Sequence, residues 1–451
     1  MTSLRLIAAA AAALLSTSAF AQSPPAPYVQ GNAGLTGFFD GPGIRLRTER
    51  VRGIRAGDFL LWPGLVLEGR YDSNFFQGAD SEAPKPVPVL RIVPSFGVSN
   101  PNPNRIALSL GANADIRLLL SSDEAVQKQQ GVGATTDLRV DILPKAPVSV
   151  TIQDSFRRAL ETPNFSTSTT YDQNVNKAAI QVRVQPGGGA LRVITGYAFG
   201  FDFFDDYAAG DYMYHEARLL ATWRFYPKTA AFLEGSGQFW SWQNPDVNDP
   251  LVRHIDNNPL RVVAGVNGYV TKKIAALIKL GYGNSFHDAG PAFNSAIGQV
   301  ELGYKFIPSV LLAGGFSRDF QNSYYANFYT ENRTYLRVQA DLWHRLKLDA
   351  SAAYHLIDFA EFDPGDSTCN PNTTVCVHVS HTERRDQAVT GHLSAEVDIT
   401  RWIGLTVGYE VRGQFTNFET TVRGPLSPPE GSVDKGEYIK HQVYASLNVR
   451  Y

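Results

Sequence analysis

The sequence predicts an all-β protein: a transmembrane antiparallel β-barrel of about 18 strands, with short periplasmic turns and longer extracellular loops. Three observations predict it. The stretch Glu437 to Tyr451, EYIKHQVYASLNVRY, puts Ile439, His441, Val443, Ala445, Leu447, Val449 and Tyr451 on one face of a strand. Tyr438, Lys440, Gln442, Tyr444, Ser446, Asn448 and Arg450 fall on the other. Upstream, similar alternating stretches are separated by breaks that are alternately short and long. Finally, aromatics make up 12% of the chain and glycines number 39, yet mean hydropathy is only -0.18. A wall with one face in lipid and one in water has such an average.

The chain divides into three parts. Residues 1–21 read as a secretory signal: Arg5, an apolar run from Leu6 to Leu15, and the cleavage site Ala19-Phe20-Ala21. No later window offers about 20 apolar residues in succession, so helical spans are excluded. Residues 22–57 are a Pro/Gly-containing lead-in ending in Arg45, Arg47, Arg50, Arg52 and Arg55. It is either a periplasmic linker or a segment that docks at the lumen mouth. Residues 58–451 are the barrel.

The strands follow in order. Phe59–Ser73 and Val87–Ser99 come first, and the turn Asn100–Asn104 leads into Ile106–Leu120. Thr136–Leu143 turns at Pro144–Pro147 into Val148–Arg158. Asn174–Gln185 turns at Pro186–Gly189 into Leu191–Phe204, and Tyr212–Tyr226 turns at Pro227–Thr229 into Ala231–Gln243. Leu260–Val270 pairs with Ile274–His287, Asn294–Phe306 with Val310–Phe320, and Arg333–Trp343 with Leu346–Phe359. Asp386–Ile399 and Ile403–Phe415 precede the last strand. The short breaks all fall at one end of the barrel and the long polar ones at the other. A soluble sandwich has no reason to sort loop length by end. Aromatics gather where strands meet breaks, as interface girdles would. Trp62, Trp223, Phe225, Tyr226, Phe306, Trp343 and Trp402 lie by short turns. Phe75, Phe76, Phe201, Phe203, Phe204, Tyr212, Tyr214, Trp240, Trp242, Tyr324 and Tyr325 lie by long loops.

Leu61-Trp62-Pro63-Gly64-Leu65, followed by Tyr71-Asp72-Ser73-Asn74-Phe75-Phe76, resembles the opening of the bacterial outer-membrane barrel family called beta-barrel porin 2. The resemblance implies an outer-membrane barrel from about Phe59 to Tyr451, in a family sometimes associated with polysaccharide export. It supplies no catalytic residues.

The alternation assigns lumen-lining candidates: Asp115, Arg117, Arg139, Asp141, Arg183, Gln185, Arg337, Asp341, Glu396, Asp398, Glu410, Arg412, Lys440 and Arg450. An Arg or Lys facing mid-membrane lipid costs about 2–4 kcal/mol, which drives such residues inward. Both signs are interleaved, so the wall is either simply solvated or carries a transverse field or a hydrogen-bonding track for sugars. Cys369 and Cys376 are the only cysteines and sit in CNPNTTVC within the longest break. In an oxidising compartment the expected state is a local disulfide. His378 and His381 nearby do not complete a zinc spacing. Asp202, Asp205 and Asp206 among aromatics suggest a solvated girdle or, alternatively, a sugar- and Ca²⁺-binding rim. His215, His287, His355, His392 and His441 are scattered and no nucleophile motif accompanies them, so no enzyme activity and no cofactor are expected. A net charge of -2 gives no basic footprint for nucleic acid.

The sequence thus implies a protein of the bacterial outer membrane with two open readings. One is an aqueous channel for solute diffusion or polysaccharide export. The other is a plugged barrel serving as an adhesion or assembly scaffold. Expected partners are outer-membrane lipid and lipopolysaccharide, the outer-membrane assembly machinery, and a polysaccharide or periplasmic export partner. The terminal Tyr451 resembles the signal that assembly machinery reads. Deleting Tyr451 is expected to lower the heat-modifiable folded fraction recovered from membranes; an unchanged folded yield would remove that role.

Overall fold

The computed structural model describes residues 53–450 apart from 78–83, 101–104, 161–171, 206–207, 244–253, 324–325, 344, 362–367, 370–375, 380–382, 418–419, 424–431 and 435–436. The signal segment, most of the lead-in, Asp206, Tyr324, Tyr325, His381 and Tyr451 therefore lie outside the described residues.

Eighteen strands run up and down in chain order. They are β1 (Phe59–Asp72), β2 (Val87–Ser99), β3 (Ile106–Leu119), β4 (Gly131–Ile142), β5 (Val148–Ala159) and β6 (Gln173–Val184). Next come β7 (Leu191–Phe204), β8 (Tyr212–Tyr226), β9 (Thr229–Trp242), β10 (Leu260–Tyr269), β11 (Ile274–Asn284) and β12 (Asn294–Ile307). The last six are β13 (Val310–Asn322), β14 (Phe328–Leu342), β15 (Leu346–Phe359), β16 (Arg385–Asp398), β17 (Ile403–Thr416) and β18 (Tyr438–Arg450). Each pairs antiparallel with the next, and β18 returns to β1 from Gly64↔Arg450 to Asp72↔Gln442. The sheet is closed, so no strand edge is left for lipid, where each unpaired backbone group would cost several kcal/mol.

Connections at one end run from two residues (Pro227–Lys228) to six; at the other they run from five, between β13 and β14, to the 25 between β15 and β16, so the sorting by length has this one exception. Two strands start earlier than the alternation suggested. β4 begins at Gly131, because Gly131-Val132-Gly133-Ala134-Thr135 has too few apolar side chains to show a period. β14 begins at Phe328, ahead of the polar run Thr330-Glu331-Asn332. β11 stops at Asn284 rather than His287, where Phe286 turns to φ 42° and leaves extended geometry. Ile54–Ala56, placed in the lead-in, folds back at Gly57 to pair beside the start of β1.

The exterior is an apolar belt. On β18, Val443 and Leu447 are exposed while Tyr444, Ser446 and Asn448, of the alternate parity, are buried. Trp223, Phe225, Phe306, Trp343 and Trp402 are exposed beside the short turns, forming one girdle. Several polar side chains that share the outward parity toward the long-loop end meet a cross-strand phenol. His215 Nδ1 lies 2.6 Å from Tyr197 Oη, and His441 Nδ1 lies 2.8 Å from Tyr409 Oη. Tyr354 and Tyr282 donate likewise to Gln387 and Asn294. Asp154 is an outward carboxylate that the inward rule for charges did not foresee; Asn176 donates to it at 3.2 Å.

The second girdle needs correction. Phe201 and Phe203 have outward parity, but Phe204, Tyr212, Tyr214, Trp240 and Trp242 share the inner face with Glu216 and Glu234. Trp62 also points inward, packed over Gly97 of β2. Proximity to a loop does not decide which side of the wall a ring takes; parity does.

The two longest breaks build a second, four-stranded sheet from Thr368–Cys369, Cys376–Val379, Thr420–Arg423 and Ser432–Asp434. Its register puts Cys369 directly opposite Cys376. Directly opposed antiparallel residues have Cα atoms about 4.5–5.5 Å apart, within the span a disulfide needs. The side chains of both cysteines, like that of His378, lie outside the described residues. Thiol titration of the denatured, unreduced protein should find no free thiol, and two after reduction. Two reactive thiols before reduction would exclude the bond.

Candidate functional site

The inner wall is the candidate site, and its charges are organised by neighbouring strands. At the seam, Arg70 of β1 donates to Glu68 at 2.9 Å, to Gln442 of β18 at 2.9 Å and to Glu410 of β17 at 3.3 Å. Arg91 of β2 grips Asp115 of β3 with two hydrogen bonds, at 2.9 and 2.8 Å, and reaches Glu68 at 3.1 Å. Arg117 joins Asp115 at 2.9 Å, and Lys440 meets Asp72 at 2.8 Å. This network spans five strands and bridges the two ends of the sheet. Guanidiniums suit it, since one fork satisfies several carboxylate oxygens at fixed angles.

A second group lies toward the short-turn end. Arg450 of β18 donates to Glu396 and lies 3.7 Å from Asp398, while Lys347 of β15 sits 3.3 Å from Glu396. A third occupies the opposite wall. There Lys177 meets Glu216 at 2.8 Å, Arg218 pairs with Glu234, and Arg261 donates to Asp319 at 3.0 Å.

Three inner tyrosines repeat one arrangement. Tyr444, Tyr214 and Tyr335 lie directly opposite Gly408, Gly200 and Gly315, and each ring occupies the space a Cβ on that glycine would need. A cation then sits over each ring: Arg70 at 4.8 Å, Lys177 at 5.8 Å and Arg333 at 5.0 Å from the centroids. The glycine lets the ring lie flat on the sheet, and the ring's π-face holds the cation away from lipid.

Part of the inner face is apolar, and its clusters reach the connections at the long-loop end. Leu220, Phe232, Val263, Leu277, Phe293, Ile297 and Phe320 form one buried cluster on β8–β13 and the β11–β12 connection. Beside it, Trp240 stacks between Tyr212 and Tyr214 with centroids 4.1 and 5.2 Å away, and His254 stacks on Trp242 at 4.0 Å. Tyr329, Ile357, Phe359 and Ala388 make a further cluster on β14–β16, and Val87, Val89, Leu119 and Val126 another on β2–β3 and the segment after it. Connecting segments are drawn inward onto these clusters. In the β11–β12 connection, burial pushes the His287 imidazole down to about 4.

The sequence-derived candidates all carry inner-face parity, with differing surroundings. Asp115, Arg117, Glu396, Asp398, Glu410, Lys440 and Arg450 enter the networks above. Arg139 and Asp141 pair with each other at 2.8 Å, with Thr151 also donating to Asp141. Arg183 donates to the Pro144 carbonyl, and Arg412 lies over the Tyr438 ring. Asp341 faces Lys347 in register, and Arg337 stands opposite Ser351. Asp202 and Asp205 are not brought together: Asp202 is buried inside and accepts from Tyr212, whereas Asp205 binds Arg158 on the outer side. They do not form a shared cation site. The sequence reading missed Glu68, Arg70, Asp72, Arg91, Glu216, Arg218, Glu234 and Arg261. Extending the same alternation through β1, β2 and β8–β10 would have found them.

Fold and wall together define a transmembrane antiparallel β-barrel of the outer-membrane type, apolar outside and charged within. No family model matches the sequence, and no curated protein matches it. Among solved structures it is similar to OccK2 (OpdF) of Pseudomonas aeruginosa in complex with glucuronate, at 9% identity over 86% of this chain and 98% of that one, TM-score 0.47. It is similar also to the outer membrane protein OpdK of the same organism, at 11% identity over 87% and 99%, TM-score 0.47. The siderophore receptor PirA, again from Pseudomonas aeruginosa, matches at 8% identity over 89% and 81%, TM-score 0.45. At these values the likeness is one of barrel architecture.

Glu68 accepts from both Arg70 and Arg91, with a side chain only 11% exposed. Glu68→Gln should therefore destabilise the barrel by about 3 kcal/mol, as an ion left short of its partner does. The urea midpoint of the heat-modifiable form measures this; an unchanged midpoint would mean that the seam network is not a source of stability.

Proposed function

We propose that this chain forms a water-filled channel through the bacterial outer membrane for small hydrophilic solutes. The observation that carries the proposal is the inner wall, where ion pairs and amides occur around nearly the whole circumference. A dry interior would impose a desolvation penalty of several kcal/mol per ion, whereas water between the side chains removes it. Barrels of about 16–18 strands leave room for an aqueous lumen. Apolar clusters that take in Val126 and Ala326 of the connections line the outer part of this path, and on that ground we favour solutes smaller than an oligosaccharide. The beta-barrel porin 2 resemblance at Leu61–Phe76 fits this reading and is the finer assignment we favour. In that role the chain meets lipopolysaccharide at its upper girdle and requires the outer-membrane assembly machinery.

Folded, heat-modifiable protein in planar bilayers should give stepwise, ohmic conductance increments. Folded protein that yields no steps would instead favour a scaffold role. Passage of a long polysaccharide in liposome flux assays, with no small-solute flux, would favour export.

A further inference from the structure

Three arginines on the inner wall stand apart from the compensated networks. Arg183 of β6 has the parity of Lys177, Arg192 of β7 that of Asp202, and Arg224 of β8 that of Glu216 and Arg218. In register, Arg183 lies opposite Ile194 and Arg192 opposite Thr222. The three are thus diagonal neighbours on successive strands, a spacing of about 7–8 Å that long side chains cross. They sit at the short-turn end, next to the connections 185–190 and 227–228.

Their surroundings lack a counter-charge. The charges acting on Arg192 are those of Arg183 and Arg224, both of its own sign. Arg183 spends one nitrogen on the Pro144 carbonyl at 2.7 Å, and its Nε is buried without an acceptor. Asp141, two strands from Arg183, is already engaged by Arg139 and Thr151. Among the described residues none of the three makes an ion pair, whereas Arg70, Arg91, Arg117, Arg139, Arg218, Arg261 and Arg450 all do. Where seven inner arginines are paired with carboxylates, these three are left facing one another.

We propose that Arg183, Arg192 and Arg224 form an oxyanion subsite at the periplasmic mouth, for solutes bearing a carboxylate or phosphate group. The proposal rests on the channel reading for its role in transport. Planar, many-donor guanidiniums bind such groups through paired hydrogen bonds, which a lysine cluster would not reproduce. An anion held among them restores charge balance and supplies the acceptor that Arg183 Nε lacks. Solutes with a single anionic group gain most, because the adjacent wall already carries closed ion pairs.

The test compares the wild type with Arg183→Gln/Arg192→Gln/Arg224→Gln and with Arg192→Gln alone, each first checked for heat-modifiable folding. In planar bilayers under a KCl gradient, the wild type should prefer chloride over potassium relative to either variant. Inorganic phosphate added on the periplasmic side should block the wild type and act about tenfold more weakly on Arg192→Gln, the loss expected for one charge-assisted contact. Equal reversal potentials and equal block in all three proteins would overturn the subsite. If the wild type does not conduct, the channel reading fails, and calorimetric titration of the detergent-solubilised proteins with phosphate decides the subsite separately. Binding that is lost in the variants upholds it; identical binding, or none to the wild type, overturns it.

Discussion

Closure of β1 on β18 is the constraint from which the rest of this structure follows. In hydrocarbon no water is present to satisfy a free N–H or C=O, so a sheet survives there only without edges. The antiparallel register from Gly64↔Arg450 to Asp72↔Gln442 supplies that last ladder. Side chains reinforce it at the same place, where Arg70, Lys440 and Gln442 tie the first strand to the last two. The backbone bonds are obligatory in lipid, whereas the ion pairs add register: a two-residue slip would keep the faces but separate Asp72 from Lys440 and Gln442.

Closure also imposes the two-sided chemistry of every strand. Because the side-chain period is two, each strand presents a single decision, lipid or lumen, that holds along its length. At several outward polar positions toward the long-loop end, a tyrosine on the adjacent strand supplies a hydrogen bond, as at His215 and His441. Inside, tyrosines do a different job. Laid over Gly408, Gly200 and Gly315, they cover bare backbone and offer a face to a cation. The same residue type thus joins both sides of the wall to their solvents.

This period explains what was legible in the sequence. Strand number, the sorting of loop lengths and the inward parity of residues such as Asp115 and Arg450 all follow from alternation and turn chemistry. Three kinds of feature escaped it. Strand ends made of small or polar residues, as at Gly131–Thr135, carry no hydrophobic period. Tyr212, Tyr214, Trp240 and Trp242 were placed by nearness to a loop, although their parity with Glu216 and Glu234 already put them inside. Partnerships such as Arg70 with Glu410 join residues 340 positions apart and depend on the closure itself, which no local pattern encodes.

The inner wall changes character along the barrel axis. Near the long loops, connections such as those carrying Phe293 and Val126 dock on apolar side chains, Phe320 for the first and Val87, Val89 and Leu119 for the second. Farther in the wall carries charge, which is stable there if paired, and Glu68, Arg91 and Asp115 are paired. At the short-turn end Arg450 and Lys347 are again paired with Glu396, whereas Arg183, Arg192 and Arg224 face one another. There the wall departs from its own rule of pairing, and an unpaired cluster of like charge is where a bound anion has most to gain.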